Sequence, residues 1–121
     1  MEKTILTVDD SNSVREMIRI NLENAGYRVI QAQDGVEALE QAKMTRVDLV
    51  ITDLNMPNMN GLELAGQLRA LPDYRFTPIV VLTTEGGADR RAEGKKVGVN
   101  GWIVKPFKNP EQLVAAIRKL I

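Results

Sequence analysis

At 121 residues the chain has the length of one domain, and 44% hydrophobic and 26% charged residues are ordinary for a globular protein. Sixteen basic and sixteen acidic residues give a formal charge of zero, so no net field favours nucleic acid or anionic lipid. The sequence contains neither cysteine nor histidine, which excludes disulfides, thiolate or imidazole metal ligands, and Ser-His or Cys-His nucleophiles. Any chemistry must therefore use carboxylates, hydroxyls, ammonium groups and a metal ion taken from solution.

No apolar stretch is long enough to cross a membrane, and the first residues lead into a predicted strand without the apolar core of a signal peptide. The absence of cysteine is compatible with a reducing compartment. We therefore expect a cytoplasmic protein that does not bind membranes. We also expect residues 1–121 to form a single domain, with no linker and no output domain.

Short apolar runs alternate with longer amphipathic segments along the whole chain. The predicted elements, in order, are strand 4–8, helix 12–25, strand 27–32, helix 35–43, strand 48–52, a helix from Gly61 to before Pro72, strand 78–83, helix 88–97, strand 101–104 and a helix from Pro110. The more polar strand 27–32 suits a sheet edge, whereas 48–52 is almost wholly apolar, as in parallel sheets covered on both faces. Helix 88–97 is the weakest, because Gly94 lies inside it. This (βα)5 pattern predicts an α/β fold with a doubly wound, five-stranded parallel sheet in the order 2-1-3-4-5.

Acidic side chains follow two of the predicted strands. Asp9 and Asp10 come directly after the first strand, and Asp53 comes directly after the third. A turn or a helix cap would explain any one of these acids. The carboxyl ends of parallel strands meet at one edge of the sheet, however, and three neighbouring carboxylates repel one another unless a cation neutralises them. Because oxygen donors without nitrogen or sulfur favour hard ions, we expect a site for Mg²⁺ or, alternatively, Mn²⁺.

The loop that begins at Asp53 also has features of two other kinds of site. Its Asp-x-Asn opening is that of an EF-hand, but Pro57 and Asn58 stand where a ligand and the invariant glycine belong, which argues against calcium. Aspartyl-phosphate hydrolases carry a second acid two residues after the nucleophile, and Asn55 occupies that position here. Asp53 retains the ability to attack phosphorus, but turnover of diverse phosphate esters is not expected.

Thr83 and Lys105 end the fourth and fifth predicted strands. Strand propensity alone accounts for a threonine, and a terminal lysine is commonly only solvated. At the edge that carries Asp53, the Thr83 hydroxyl would instead donate to a phosphoryl oxygen and the Lys105 ammonium would pair with it. Pro106 favours extended backbone at Lys105, which would hold the ammonium over the edge of the sheet.

The ordered set of Asp9-Asp10, Asp53, Thr83 and Lys105-Pro106-Phe107, each at its expected strand end, resembles the receiver domain of two-component response regulators. The resemblance covers the whole chain. The segments 53–61 and 102–107 further resemble the stand-alone, CheY-like chemotaxis type. The fold implied is the flavodoxin/CheY-like one.

The resemblance implies that Asp53 accepts a phosphoryl group from phosphohistidine on a sensor histidine kinase, here a CheA-like one. Mg²⁺ would be held by Asp10 and Asp53 directly, by Asp9 through water and by the backbone carbonyl of Asn55. Beyond self-phosphorylation from phosphohistidine or acetyl phosphate, and autodephosphorylation, no enzymatic activity is expected.

The resemblance also implies which residues switch. Lys105 would pair with the phosphoryl group, and Thr83 would move toward it and leave space into which the aromatic residue of the fifth strand turns. That residue is Trp102 here, where most relatives have tyrosine or phenylalanine, so a purely packing role for the larger indole stays open. Asn55 and Glu85 would tune dephosphorylation, and this pair resembles that of fast-cycling chemotaxis receivers with a short-lived phosphorylated state.

The expected output is binding of a downstream target by the face formed by the fourth helix, fifth strand and fifth helix. In chemotaxis the target would be a flagellar motor switch protein, and a phosphatase is a further expected partner. We expect a monomer that does not contact nucleic acid directly. The leading alternative is a single-domain phosphorelay or phosphate-sink receiver outside chemotaxis, followed by a small Mg²⁺-dependent aspartyl-phosphate phosphatase. A flavodoxin-like electron carrier is disfavoured, because the acidic loop after the first strand would repel a flavin phosphate.

Overall fold

The computed structural model describes residues 2–105 and 110–121. Its strands are β1 (Thr4–Val8), β2 (Arg28–Ala32), β3 (Leu49–Thr52), β4 (Ile79–Thr83) and β5 (Gly101–Val104). Its helices are α1 (Asn12–Asn24), α2 (Gly35–Met44), α3 (Gly61–Arg69), α4 (Ala88–Lys96) and α5 (Pro110–Leu120), with a short 3₁₀ helix at Pro72–Tyr74 after α3. Pro106 and Phe107, which belong to the expected lysine-proline motif, lie outside the described residues.

The strands form one sheet in the order β2-β1-β3-β4-β5, and every neighbouring pair is parallel. The predicted fold class and strand order are therefore confirmed. The relatively polar β2 lies at an edge of the sheet, as its sequence predicted. The 3₁₀ helix is an addition that the hydrophobic pattern did not predict.

Helices pack on both faces of the sheet, and each face has its own core. Successive residues of β1 point to opposite sides, so that Ile5 belongs to one core and Leu6 to the other. The core under α1 and α5 contains Ile18, Leu22, Leu113 and Ile117 together with Ile5, Leu49, Ile51, Val80 and Leu82. The core under α2 and α3 contains Ala38, Ala42, Leu64, Ala65 and Leu68 together with Leu6, Val8, Val50 and Ile79.

Polar caps start three of the helices near the carboxyl ends of the strands. The side chain of Ser11 accepts a hydrogen bond from the amide of Val14 at the start of α1, and Asp34 caps α2 in the same way. At α3, Asn60 and Glu63 form a reciprocal capping box with distances of 2.8 and 3.0 Å. These caps satisfy exposed amides and set the direction in which the chain leaves the edge of the sheet.

Within residues 2–105 and 110–121, no helix is both long and apolar enough to span a bilayer.

Candidate functional site

Three carboxylates meet at the carboxyl ends of β1 and β3. The two strands are parallel neighbours in which Val8 pairs with Thr52, so the residues that follow them, Asp9 and Asp53, emerge side by side. Asp9, Asp10 and Asp53 each offer an oxygen atom, and these oxygens lie within 4.8 Å of one another. Asp9 is buried, Asp53 is partly buried and Asp10 is exposed, so the cluster opens to solvent on one side.

Backbone amides hold two of these carboxylates in place. The amide of Ser11 donates to Asp9 Oδ1 at 2.9 Å, and the amide of Leu54 donates to Asp53 Oδ1 at 2.7 Å. The backbone amide of Asp53 in turn donates to the Val8 carbonyl at 2.9 Å. In both carboxylates, the other oxygen, Oδ2, lies within 4 Å of Lys105 Nζ.

Lys105 supplies a positive charge at this edge of the sheet, where the guanidinium of Arg15 also donates to the Asp9 carbonyl. Its Nζ lies 3.1 Å from Asp9 Oδ2 and 3.8 Å from Asp53 Oδ2, and its backbone amide donates to the Thr83 carbonyl at 2.7 Å. Burial raises the pKa of Asp53, and the neighbouring Asp9 and Asp10 raise it further, whereas Lys105 opposes the shift. These two cationic side chains do not balance three carboxylates, so the cluster still carries excess negative charge.

The chemistry of this donor set fits a hard divalent cation. Carboxylate oxygens are the ligands that Mg²⁺ and Mn²⁺ accept, and the described part of the chain offers no nitrogen or sulfur ligand beside them. An exposed member such as Asp10 suits Mg²⁺, which retains several water ligands in proteins. The backbone carbonyl of Asn55 stays a predicted ligand.

Thr83 ends β4, the strand next to β3, and is 1% exposed. Its Oγ1 accepts a hydrogen bond from the amide of Glu85 at 3.3 Å. The sequence predicted this residue at the carboxyl edge of the sheet, and the structure brings it to the same edge as Asp53 and Lys105. Its contact with a phosphoryl group stays a prediction.

Glu85 joins the loop after β3 to helix α4 and strand β5. Its carboxylate accepts hydrogen bonds from Asn55 Nδ2 at 3.0 Å and from Arg90 Nε at 3.3 Å. Both contacts lower the pKa of Glu85, and the Asn55 bond has the larger effect. Its backbone carbonyl accepts a hydrogen bond from Trp102 Nε1 at 2.8 Å. Sequence reasoning paired Asn55 with Glu85 but did not predict the contact between Arg90 and Glu85, for which no motif gives a signal.

Trp102 packs beneath α4 with its indole ring partly buried. It contacts a small core cluster that includes Leu62 and Val97. A Cβ atom added to Gly94 would lie only 3.0 Å from Cζ3 of the indole. The glycine that weakens α4 in sequence therefore makes room for the tryptophan, a contact that sequence reasoning did not predict.

Gly61 allows the start of α3 to approach the end of β3. A Cβ atom at this position would lie 2.3 Å from the carbonyl oxygen of Asp53, and the Gly61 amide donates to the Leu54 carbonyl at 2.9 Å. Any larger residue would have to push the backbone of Asp53 away. The Gly61 position thus helps to set where Asp53 stands.

Comparison with known proteins gives one consistent family. The family model for the response regulator receiver domain matches residues 5–118. The chain is 46% identical to a chemotaxis protein CheY homolog of Campylobacter jejuni over 85% of this chain and 81% of that protein. It is 43% identical to response regulator MprA of Mycobacterium leprae over 97% of this chain but 50% of that protein.

Solved structures agree with the sequence matches. The chain superposes on the chemotaxis response regulator CheY4 of Vibrio cholerae with a TM-score of 0.95, at 45% identity and with 100% of both chains covered. It superposes on a response regulator protein from Burkholderia multivorans with a TM-score of 0.81, at 45% identity, over 99% of this chain and 95% of that one.

Proposed function

This chain belongs to the response regulator receiver family, and from that premise we propose that it is a chemotaxis switch in which Asp53 is the phosphoacceptor. As a receiver it is a two-component phosphoacceptor and, like receiver domains generally, not a classical enzyme. We further propose which residues carry out phosphoryl transfer, that Mg²⁺ is the ion, which partners the protein binds and that it is cytoplasmic.

One observation carries the assignment of the site. Three carboxylate oxygens lie within 4.8 Å of one another, and a lysine Nζ lies 3.1 and 3.8 Å from two of those carboxylates. A structural ion pair would need only one acid for one lysine. The surplus of negative charge supports a site that is completed by a divalent cation and a phosphoryl group.

We assign the metal to Asp10 and Asp53 as direct ligands, to Asp9 through water, and to the backbone carbonyl of Asn55. When bound, Mg²⁺ would neutralise the charge that builds up on the phosphoryl oxygens during transfer. Mn²⁺ has the same preference for oxygen ligands and would substitute for it.

Phosphoryl transfer then requires little covalent chemistry from the protein. A carboxylate oxygen of Asp53 attacks phosphorus, the new O–P bond forms, and the N–P bond of the donor phosphohistidine breaks with its electron pair on the histidine nitrogen. The Leu54 amide, 2.7 Å from Asp53 Oδ1, keeps the nucleophile oriented. Because the chain has no histidine, the donor belongs to a sensor kinase or is a small acyl phosphate.

Lys105 and Thr83 would receive the phosphoryl group once it is on Asp53. The Lys105 ammonium already lies 3.8 Å from Asp53 Oδ2, within reach of an added phosphoryl oxygen. The Thr83 hydroxyl would donate to another oxygen, which draws the side chain toward the site. Neutralising the added charge in this way offsets the repulsion from Asp9 and Asp10.

Trp102 would report the change to the output face formed by α4, β5 and α5. Its indole hydrogen-bonds to the carbonyl of Glu85, two residues after Thr83, so a shift of Thr83 reaches the ring through one short segment. We expect Trp102 fluorescence to change when Mg²⁺ and beryllofluoride are added together. A spectrum that responds to neither would leave the indole with a packing role only.

The partners follow from the family and its relatives. A CheA-like sensor histidine kinase would supply the phosphoryl group, and a downstream target, in chemotaxis a flagellar motor switch protein, would bind the phosphorylated form. The chemotaxis proteins among the relatives support this choice over a phosphorelay or phosphate-sink role. Binding of phosphorylated protein to a motor switch peptide, with no transfer to a second histidine protein, would distinguish the two.

Intact mass measurement after incubation with acetyl phosphate and Mg²⁺ tests the central assignment. We expect one added phosphoryl group on the wild type and none on Asp53→Asn. Asp73→Asn is the matched control, because Asp73 is exposed in the 3₁₀ helix, away from the carboxyl ends of the strands, and should be phosphorylated normally. Phosphorylation of Asp53→Asn, or equal yield in the presence of a chelator, would contradict the proposal.

A further inference from the structure

The side chain of Arg90 links helix α4 to Glu85, which in turn contacts Asn55 in the loop after Asp53. Its guanidinium donates from Nε to Glu85 Oε2 at 3.3 Å and from Nη1 to Glu93 Oε2 at 3.1 Å. Glu93 lies three residues further along the same helix, so it fixes the guanidinium on the helix surface. Arg90 thus connects a helix of the output face to Glu85.

Glu85 in turn determines how the side chain of Asn55 is oriented. A carboxylate only accepts hydrogen bonds, so the Asn55 amide must present its NH₂ group to Glu85 Oε1, 3.0 Å away. The amide oxygen of Asn55 is then directed away from Glu85. Asn55 lies two residues after Asp53, so its amide oxygen would accept a hydrogen bond from a water molecule beside the phosphorylated side chain.

Such an acceptor would speed the hydrolysis of phosphorylated Asp53. The oxygen of a water molecule attacks phosphorus, the acyl O–P bond breaks, and the Asp53 carboxylate leaves with the bonding electrons while inorganic phosphate and a proton are released. A side chain that accepts a hydrogen bond from this water orients it for in-line attack. A loosely held Asn55 would orient the water less well.

We propose that Arg90 is a positioning residue for dephosphorylation, which acts by holding Glu85 against Asn55 so that Asn55 orients the attacking water. This inference rests on the proposed function of Asp53 and adds a regulatory link to it. Arg90 is also accessible, with 36% of its side chain exposed. A partner that binds α4 and takes Arg90 away from Glu85 would therefore prolong the phosphorylated state.

The decay of phosphorylated protein tests this link. The protein is loaded with acetyl phosphate and Mg²⁺, the donor is removed, and the phosphorylated fraction is followed by intact mass. We expect Arg90→Ala to slow the decay by about two- to five-fold, the factor that corresponds to loss of an exposed ion pair. Arg90→Lys, which can still pair with Glu85, should recover part of the rate.

Arg91→Ala is the matched control, because Arg91 is the adjacent arginine on the same helix and is exposed. It should decay at the wild-type rate. Glu85→Ala should slow the decay at least as much as Arg90→Ala, and adding Arg90→Ala to it should have no further effect. A role of Arg90 in merely keeping α4 folded would slow the decay in both backgrounds.

The possible outcomes separate this inference from the proposed function. Decay of Arg90→Ala at or above the wild-type rate overturns the role of Arg90, as does an Arg90→Ala effect that persists in the Glu85→Ala background. Failure of the wild type to gain a phosphoryl group at all would overturn the proposed function instead. Thermal melts of all variants verify that they are folded before decay is compared.

Discussion

Helices α3 and α4 are both nine residues long, and both follow a strand that ends at the proposed site. The helix α3 begins with a complete capping box and buries Leu62, Leu64 and Leu68. By contrast, the N-cap residue of α4 is Gly87, which makes no side-chain capping hydrogen bond, and the one buried residue of this helix is Gly94. Because apolar burial and caps supply most of what holds a surface helix in place, displacing α4 requires less free energy than displacing α3.

The far end of α3 is also anchored, through Arg69. Its guanidinium donates to the backbone carbonyls of Tyr74, Thr77 and Gly98 and to Oδ1 of Asn100, at 2.6 to 2.8 Å. These bonds connect α3 to the segments that enter β4 and β5. Both ends of the helix that follows Asp53 are therefore held by the rest of the molecule.

The difference separates two tasks within a small domain. As the proposed phosphoacceptor, Asp53 would need a fixed geometry to attack phosphorus, and the well-anchored corner between β3 and α3, called the rigid corner below, would provide it. The corner between β4 and α4 connects to the site through hydrogen bonds of Glu85 and packs its helix on one indole ring. Weakly anchored segments are the ones that ligands and modifications move at modest cost.

The largest expected effect is at the rigid corner. Gly61→Ala puts a Cβ 2.3 Å from the Asp53 carbonyl, so we expect the free energy of unfolding to fall by about 1–3 kcal/mol and phosphorylation to slow. Gly66→Ala makes the same chemical change in the same helix, where nothing lies within 4 Å, and should raise the free energy of unfolding by up to about 1 kcal/mol. Urea denaturation measures the unfolding free energy of both variants. A change of the same sign in the two variants would contradict the prediction.

Mg²⁺ should strengthen the rigid corner further. At a Mg²⁺ concentration ten times the dissociation constant, we expect the free energy of unfolding to rise by about 1.4 kcal/mol. The ion should slow hydrogen exchange more at the amides of Leu54 and Gly61 than at the amides of α4. Asp53→Asn should stabilise the metal-free protein, because it removes a carboxylate whose pKa burial raises, and should reduce the Mg²⁺ effect. Equal protection of α3 and α4 by the ion would remove the distinction between them.

At the weakly anchored corner, Gly94→Ala combines two opposing effects. Alanine favours the helix by about 1 kcal/mol, whereas its Cβ would meet the Trp102 ring at 3.0 Å. We expect a net change in unfolding free energy below about 1 kcal/mol, together with altered Trp102 fluorescence. In a Trp102→Phe background the smaller ring should allow the full helix gain. If Gly94→Ala raised the unfolding free energy by the full helix contribution with Trp102 present, the indole would not be packed tightly against α4.

The smallest expected effect is the pH dependence that Asp53 causes. As pH rises, stability of the metal-free protein should fall, whereas affinity for Mg²⁺ should increase. Because the folded-state pKa of Asp53 is raised, its contribution to stability is present below the ordinary carboxyl pKa and is lost as pH rises through the raised value. Mg²⁺ needs the carboxylate form, so its affinity should increase over the same interval. Calorimetric titration with Mg²⁺ at mildly acidic and neutral pH, repeated on Asp53→Asn, measures the part due to Asp53. Affinity of the wild type that is independent of pH would refute this sign.

Much of the fold was predictable because its signals are local. The alternation of apolar runs such as Leu49–Thr52 with amphipathic helices predicted the elements closely, and the polar β2 indicated an edge strand. The short helix Pro72–Tyr74 was not predicted. In the structure its Tyr74 hydroxyl donates to the Ala42 carbonyl at 2.6 Å. That contact joins residues far apart in the chain and leaves no periodic signal.

Hydrophobic period predicted the strands and helices, and their alternation predicted a parallel sheet with the acids that follow its strands at one edge, because these signals are local in the sequence. Packing decided which glycines are indispensable and which side chains meet in space. The approach of Gly61 to Asp53, the fit of Gly94 to Trp102 and the bridge from Arg90 to Glu85 all depend on distances of a few ångströms between separate elements. Such distances follow from how helices settle on a sheet, and a linear pattern of residue types does not contain them.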